Sequence, residues 1–114
     1  MQQLHCVRIK LKPNSLDRVR EWAAELNRRK DEALATLRDE SIFLESFFLE
    51  QARDGDYLIG YIRAESLEQS QEAVKKSTHA IDAYHQAFKK DCWESGEKLE
   101  GLVDLNRANE WQPK

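Results

Sequence analysis

The sequence predicts an α+β domain whose elements run strand–helix–strand–strand–helix–strand. Three observations carry this expectation. Apolar and polar side chains alternate over residues 4–11, the signature of a half-buried strand. Apolar residues then recur at three- and four-residue steps through residues 15–38, the period of a helix face. Two β-rich runs meet at Asp54-Gly55, after which helical spacing returns.

In the first strand His5, Val7, Ile9 and Leu11 share one side, and Cys6, Arg8 and Lys10 the other. Lys12-Pro13-Asn14 ends it, because proline cannot donate to a ladder; Asn14 is placed to cap the following helix. That helix carries Leu16, Val19, Ala23, Leu26, Ala33, Leu34 and Leu37 on its stripe, flanked by Trp22. At 1.5 Å per residue it would run about 36 Å, whereas an eight-residue strand covers about 27 Å. It is therefore expected to overhang the sheet or bend at residues 27–30, where the stripe lapses. Residues 42–51 and 56–65 form a hairpin. Ser66-Leu67-Glu68-Gln69 fits a capping box, and the helix it opens is expected to break at Ser77-Thr78-His79. A second piece to Trp93 puts Ile81, Tyr84, Phe88 and Cys92 on one face, and residues 98–106 read as the last strand. Residues 1–106 thus make one domain, with 107–114 a polar tail apart from Trp111.

This order is that of the ferredoxin-like split-βαβ arrangement, a four-stranded antiparallel sheet with both helical segments on one face. Its other face is usually polar. With Val7, Ile9, Leu44, Phe48, Leu58, Ile62, Val103 and Leu105 toward the helices, the open face would carry Phe43, Phe47, Leu49, Tyr57, Ile59, Tyr61 and Leu102. So apolar a surface predicts a homodimer, two sheets meeting face to face. A tail folded over that face, with Trp111 as the anchor, is the rival.

Of the 114 residues, 40% are hydrophobic and 34% charged, with a net charge of -3. No Lys/Arg surface large enough for nucleic acid is expected, since Asp31 and Glu32 follow the densest basic run, Arg28-Arg29-Lys30. No apolar run approaches the ~20 residues that span a bilayer, and no signal segment is visible, so the expectation is cytoplasmic without membrane contact. The two cysteines, Cys6 and Cys92, read as small buried hydrophobes rather than a disulfide or zinc site.

Two constellations could carry chemistry. On the sheet face, Arg8, Glu45, Tyr61, Arg63, Glu100 and Asp104 are charges and a phenol set among aromatic residues. They suit either a pocket for a small anionic or polyhydroxylated molecule, or ion pairs at an interface. In the second helical segment, within the cluster His79, Asp82, Tyr84 and His85, His79 and Asp82 are one turn apart, as are Asp82 and His85. The carboxylate could orient either imidazole as a general base or acid, or a residue at 78–79 simply caps the helix. His79, His85, Tyr61 and Glu45 are thus the catalytic candidates, and Arg8, Arg63, Glu100 and Asp104 the ligand-binding ones. The histidine spacing offers no metal site, and neither a phosphate loop nor a nucleophile elbow is present. No metal or organic cofactor is expected.

The stretches CVRIKLKPNSLDRVREWAAELNRRKDEALATLRDE, DGDYLIGYIRAES and STHAIDAYHQAFKKDCWE together resemble a family of small bacterial proteins of unknown function in the dimeric α/β-barrel superfamily. The resemblance covers the chain to about residue 106. It implies a homodimer, and one of two functions. One is a small-molecule enzyme of the monooxygenase-like or isomerase- and mutarotase-like kind, working without a cofactor in a pocket on the sheet face. The other is a non-catalytic ligand-binding or stress-response dimer. Haem-degrading relatives place an asparagine on the first strand, and LHCVRIKL has none, which disfavours that branch.

Overall fold

A computed structural model describes residues 2–110. Strand β1 (Gln3–Leu11) is followed by helices α1 (Leu16–Arg28) and α2 (Lys30–Asp39). The hairpin β2 (Ile42–Ala52) and β3 (Gly55–Ala64) comes next, then α3 (Leu67–Lys76), α4 (Ala80–Cys92) and β4 (Trp93–Lys98). All pairings are antiparallel and the sheet order is β2-β3-β1-β4, the ferredoxin-like arrangement. Both helical segments divide where their apolar stripes lapse. The first breaks at Arg29, which pairs with Glu25 and Glu32 of the flanking helices, and the second at residues 77–79.

The hairpin closes on Arg53-Asp54, with Ala52 opposite Gly55. Gly55 sits at φ 144, where a Cβ would be strained, and Tyr57 Oη donates to Asp54 Oδ2 at 2.7 Å. Ser66 caps α3 by accepting from the Gln69 N–H at 3.2 Å. The cap of α1 differs from expectation. Asn14 takes the left-handed conformation (φ 61) that its short amide side chain tolerates. Ser15 becomes the terminal residue, and its hydroxyl donates back to the Lys12 carbonyl.

The core lies between helices and sheet: Ile9, Leu11 and Leu58 below, Val19, Trp22, Phe88 and Cys92 above. Trp22 is its centre rather than a flank, only 2% exposed, stacked on Phe88 at 4.3 Å and edge-on to Phe47 at 5.0 Å. Cys6 and Cys92 are both free thiols.

Two strand assignments made from the sequence are corrected. In β2 the register shifts between Ile42 and Leu44, and this bulge reverses every side chain after it. Glu45, Phe47 and Leu49 therefore stand opposite Ile62, Gly60 and Leu58 on the helix side, while Leu44 and Phe48 point to the open face, 51% and 62% exposed. Phe47 lies over Gly60, where an added Cβ would come within 3.1 Å of its ring. The last strand starts at once after α4, at Trp93, not at residue 98. Gly96 stands opposite Ile9 there. The apolar residues Leu102, Val103 and Leu105 consequently lie in the irregular segment after β4, each at least 78% exposed. The expected docking of Trp111 lies outside the described residues. Among the described residues, no helix is long and apolar enough to cross a membrane.

Candidate active site

A cavity of about 820 Å³ opens between the helices and the sheet. That volume falls in the range of pockets that hold small molecules. Its aromatic wall is Trp22, Phe47 and Trp93. Its polar groups include side chains from α4, β2 and the end of α2. Helix α4 presents Asp82, His85 and Lys89 on one face, because residues three, four and seven apart share a helix side. Strand β2 contributes Glu45, turned inward by the bulge, and the end of α2 contributes Glu40.

Burial dominates the electrostatics of this set. It pushes the Glu40 carboxyl up to about 7, with the charges of Asp82 and Glu45 adding to the effect. The Glu45 carboxyl is also raised by burial, partly offset by Lys89. Burial lowers the Lys89 ammonium, against the pull of Glu45, Glu40 and Asp82. His85 falls to about 3, from burial first and the Lys89 charge second. The imidazole is therefore neutral at physiological pH, and its Nδ1 accepts the indole N–H of Trp22 at 3.0 Å. A carboxyl titrating near neutrality, with a second one raised by burial beside a cation and a neutral imidazole, can give and take protons.

Of the four residues picked from sequence as catalytic candidates, the structure brings Glu45 and His85 together in the cavity. His79 stands apart at the N-terminus of α4, half-buried, its Nε2 2.7 Å from Asp39 Oδ2, and this hydrogen bond raises its pKa. Tyr61 is opposite Cys6 and Ser46 and projects from the other side of the sheet. Asp82 orients neither histidine; it accepts from Ser77 Oγ. Tyr84 accepts from Arg18 at 3.1 Å.

Nor do the four ligand-binding candidates share the cavity. Arg8 lies over the Tyr57 ring at 3.5 Å and pairs with Glu50 at 2.8 Å. Arg63, 7% exposed, pairs with Asp104 and donates to Gln2 Oε1. Glu100 is exposed in the segment after β4. The sequence reading passed over Glu40 and Lys89. Lys89 could have been found, one turn beyond His85 on the same side of the helix. Glu40 could not, because only the α2–β2 turn aims it inward. No group of three or more His, Cys, Asp and Glu side chains is placed to hold a metal ion among the described residues.

Residues 2–110 match the model of DUF6176, a family of unknown function, and the chain belongs to that family. None of the curated proteins matches it. Three solved structures share its fold at low sequence identity. An uncharacterised NIPSNAP-like domain protein from Burkholderia xenovorans aligns at TM-score 0.59 and 16% identity, over 94% of this chain and 88% of its own. A candidate antibiotic biosynthesis monooxygenase from Nitrosomonas europaea aligns at TM-score 0.55 and 13% identity, over 92% and 94%. Rv0793 from Mycobacterium tuberculosis aligns at TM-score 0.52 and 15% identity, over 93% and 100%.

Proposed function

We propose, taking membership of that family as the premise, that the cavity is a catalytic pocket in which a small planar molecule bearing an oxygen is deprotonated. The observation that carries this reading is a raised carboxyl, Glu45, set into the wall of an aromatic-lined cavity beside Lys89. Glu45 serves as the base, Glu40 as a proton store titrating close to neutrality, and Phe47 and Trp93 as the aromatic wall against which a flat ring lies. Removing a proton from a phenol or from a carbon next to a carbonyl is the opening step both of isomerisation and of oxygenation without an organic cofactor. The fold of the Nitrosomonas europaea protein, with the monooxygenase description it carries, favours the second outcome. The pocket is on the helix-covered side of the sheet, so the candidates on the other side fall outside this chemistry.

The test is solvent-deuterium uptake at the carbon beside the carbonyl of 1-indanone, followed by proton NMR. Wild-type protein should accelerate exchange over buffer, and Glu45→Gln should return it to the buffer rate. Equal rates with and without wild-type protein would remove the enzyme reading and leave a non-catalytic binding protein.

We also infer that two copies pair through the open sheet face. Leu44 and Phe48 stand exposed there beside the half-buried Ile59 and Tyr61, and the segment after β4 also exposes Leu102, Val103 and Leu105. Arg8 and Arg63 already have carboxylate partners, so closing the face need orphan neither charge. Hiding ~600 Å² would contribute about 15 kcal/mol, against about 4–15 kcal/mol for association. Light scattering on wild type and Phe48→Asp decides this: a dimer that the substitution splits supports it, and a wild-type monomer ends it.

A further inference from the structure

We propose that Trp22 is a positioning residue: its indole N–H, donated to Nδ1 of His85, fixes the imidazole as the Nε2–H tautomer and makes His85 a hydrogen-bond donor to a carbonyl or phenolate oxygen of the ligand. The proposal rests on the reading of the cavity as a substrate pocket and names what that pocket recognises.

An indole nitrogen can only donate, so the His85 Nδ1 that it meets at 3.0 Å must hold a lone pair. An imidazolium has none, and in the neutral ring the proton is then on Nε2. Trp22 cannot turn away. It is clamped between Phe88, parallel within 4° at 4.3 Å, and the edge of Phe47, at 82° and 5.0 Å. The imidazole is itself seated near the indole, with centroids 5.6 Å apart and planes within 24°. Among the described residues the fully buried side-chain polar atom without a partner is Trp93 Nε1, not His85 Nε2. His85 lines the cavity, no acceptor among the described residues meets its Nε2, and this nitrogen is therefore open to an incoming oxygen.

The consequence reverses the role that spacing alone suggests. His85 cannot take a proton on Nδ1 without losing the Trp22 bond, and its other nitrogen already carries one, so it is a neutral electrophile rather than a base. Glu45 takes the proton: the substrate C–H or O–H bond breaks, an O–H bond forms on the carboxylate, and the electron pair moves to the ligand oxygen. There the His85 Nε2–H and the Lys89 charge meet the developing anion, where prepositioned donors contribute most. No oxidant or reductant is needed for this step. The ligand class is a flat ring system with a carbonyl or phenol oxygen next to its acidic hydrogen.

Ring-nitrogen NMR of protein carrying ¹⁵N-histidine tests the tautomer directly. In wild type, Nδ1 of His85 should stay unprotonated and Nε2 protonated from about pH 5 to about pH 8. Trp22→Phe, which keeps an aromatic ring between Phe88 and Phe47, should give a tautomer mixture. An Nδ1–H signal in wild type, or a tautomer unchanged by Trp22→Phe, overturns the proposal. Binding of 1-indanone against indane then tests recognition of the oxygen. Wild type should prefer the ketone by roughly threefold to tenfold, the worth of one hydrogen bond, and shift its Nε2–H signal. His85→Leu should erase the preference. Equal binding of both compounds by wild type defeats the donor role but leaves the pocket standing; binding of neither defeats both.

Discussion

Replacing Glu40 with glutamine should change how stability responds to pH more than it changes stability itself. Glu40 is 7% exposed at the end of α2, and its carboxyl is raised by burial, with Asp82 and Glu45 adding to the effect, from 4.5 to about 7. A folded-state pKa above the unfolded one means that the folded protein binds the extra proton. Its contribution is thus complete below about pH 4.5 and is lost as the pH rises through about 7. Between about pH 5.5 and pH 8.5 that loss amounts to at most about 2 kcal/mol for this shift. Glutamine keeps the shape, cannot ionise, and leaves the main-chain carbonyl that accepts Ser70 Oγ at 2.6 Å. His85 runs the other way, since its lowered pKa weakens the fold as pH falls below 6.5, but it is common to both proteins and cancels in their difference. Urea unfolding followed by tryptophan fluorescence, at one protein concentration, gives that difference at each pH. Glu40→Gln should gain about 1–2 kcal/mol on wild type between the acid and the alkaline measurement. A difference between the two proteins that stays constant across this range would refute the burial of an ionisable carboxyl there.

Phe47→Ala removes the ring packed edge-on to Trp22 and should cost about 3 kcal/mol or more in urea unfolding. Phe48→Ala, on a side chain 62% exposed, should cost far less within one subunit and act instead on association seen by light scattering. Gly60→Ala forces a methyl against Phe47, whose ring is held by Trp22 and cannot easily give, so a loss of about 1–3 kcal/mol is expected in the same unfolding assay. Ser66→Ala deletes the cap on α3 and should cost about 1 kcal/mol, with local amide exchange rising at Gln69.

Local rules, and therefore the sequence, determined the element types, the Asp-Gly hairpin, the Ser66 cap and the helix break at 77–79, and left the break at Arg29 as one of two alternatives, the other an overhanging helix. Each depends on neighbours within a few residues: a glycine able to hold a positive φ, a hydroxyl within reach of an N–H, an apolar stripe that lapses. Those same rules led to the sheet order once right-handed crossovers were applied. They picked His85 and Glu45 as chemical candidates because a histidine or carboxyl amid apolar residues is visible in any listing.

What only the tertiary structure decided is which way those side chains face. One bulged residue, Phe43, inverts β2, and nothing in IFLESFFLEQ distinguishes its two apolar sides, since Leu44 and Phe48 are as hydrophobic as Phe47 and Leu49. The same ambiguity hid β4: the oily LVDL segment has the stronger strand pattern, yet it is WESGEK that pairs with β1, Gly96 opposite Ile9. The site followed the sheet. Once β2 turned over, Glu45 entered a cavity with Lys89 and His85, while Arg8, Tyr61 and Arg63 were left behind the strands. Period-two alternation fixes a strand's faces relative to one another but not which face meets the core; that choice is made by packing against residues distant in the chain, here Trp22 and Phe88.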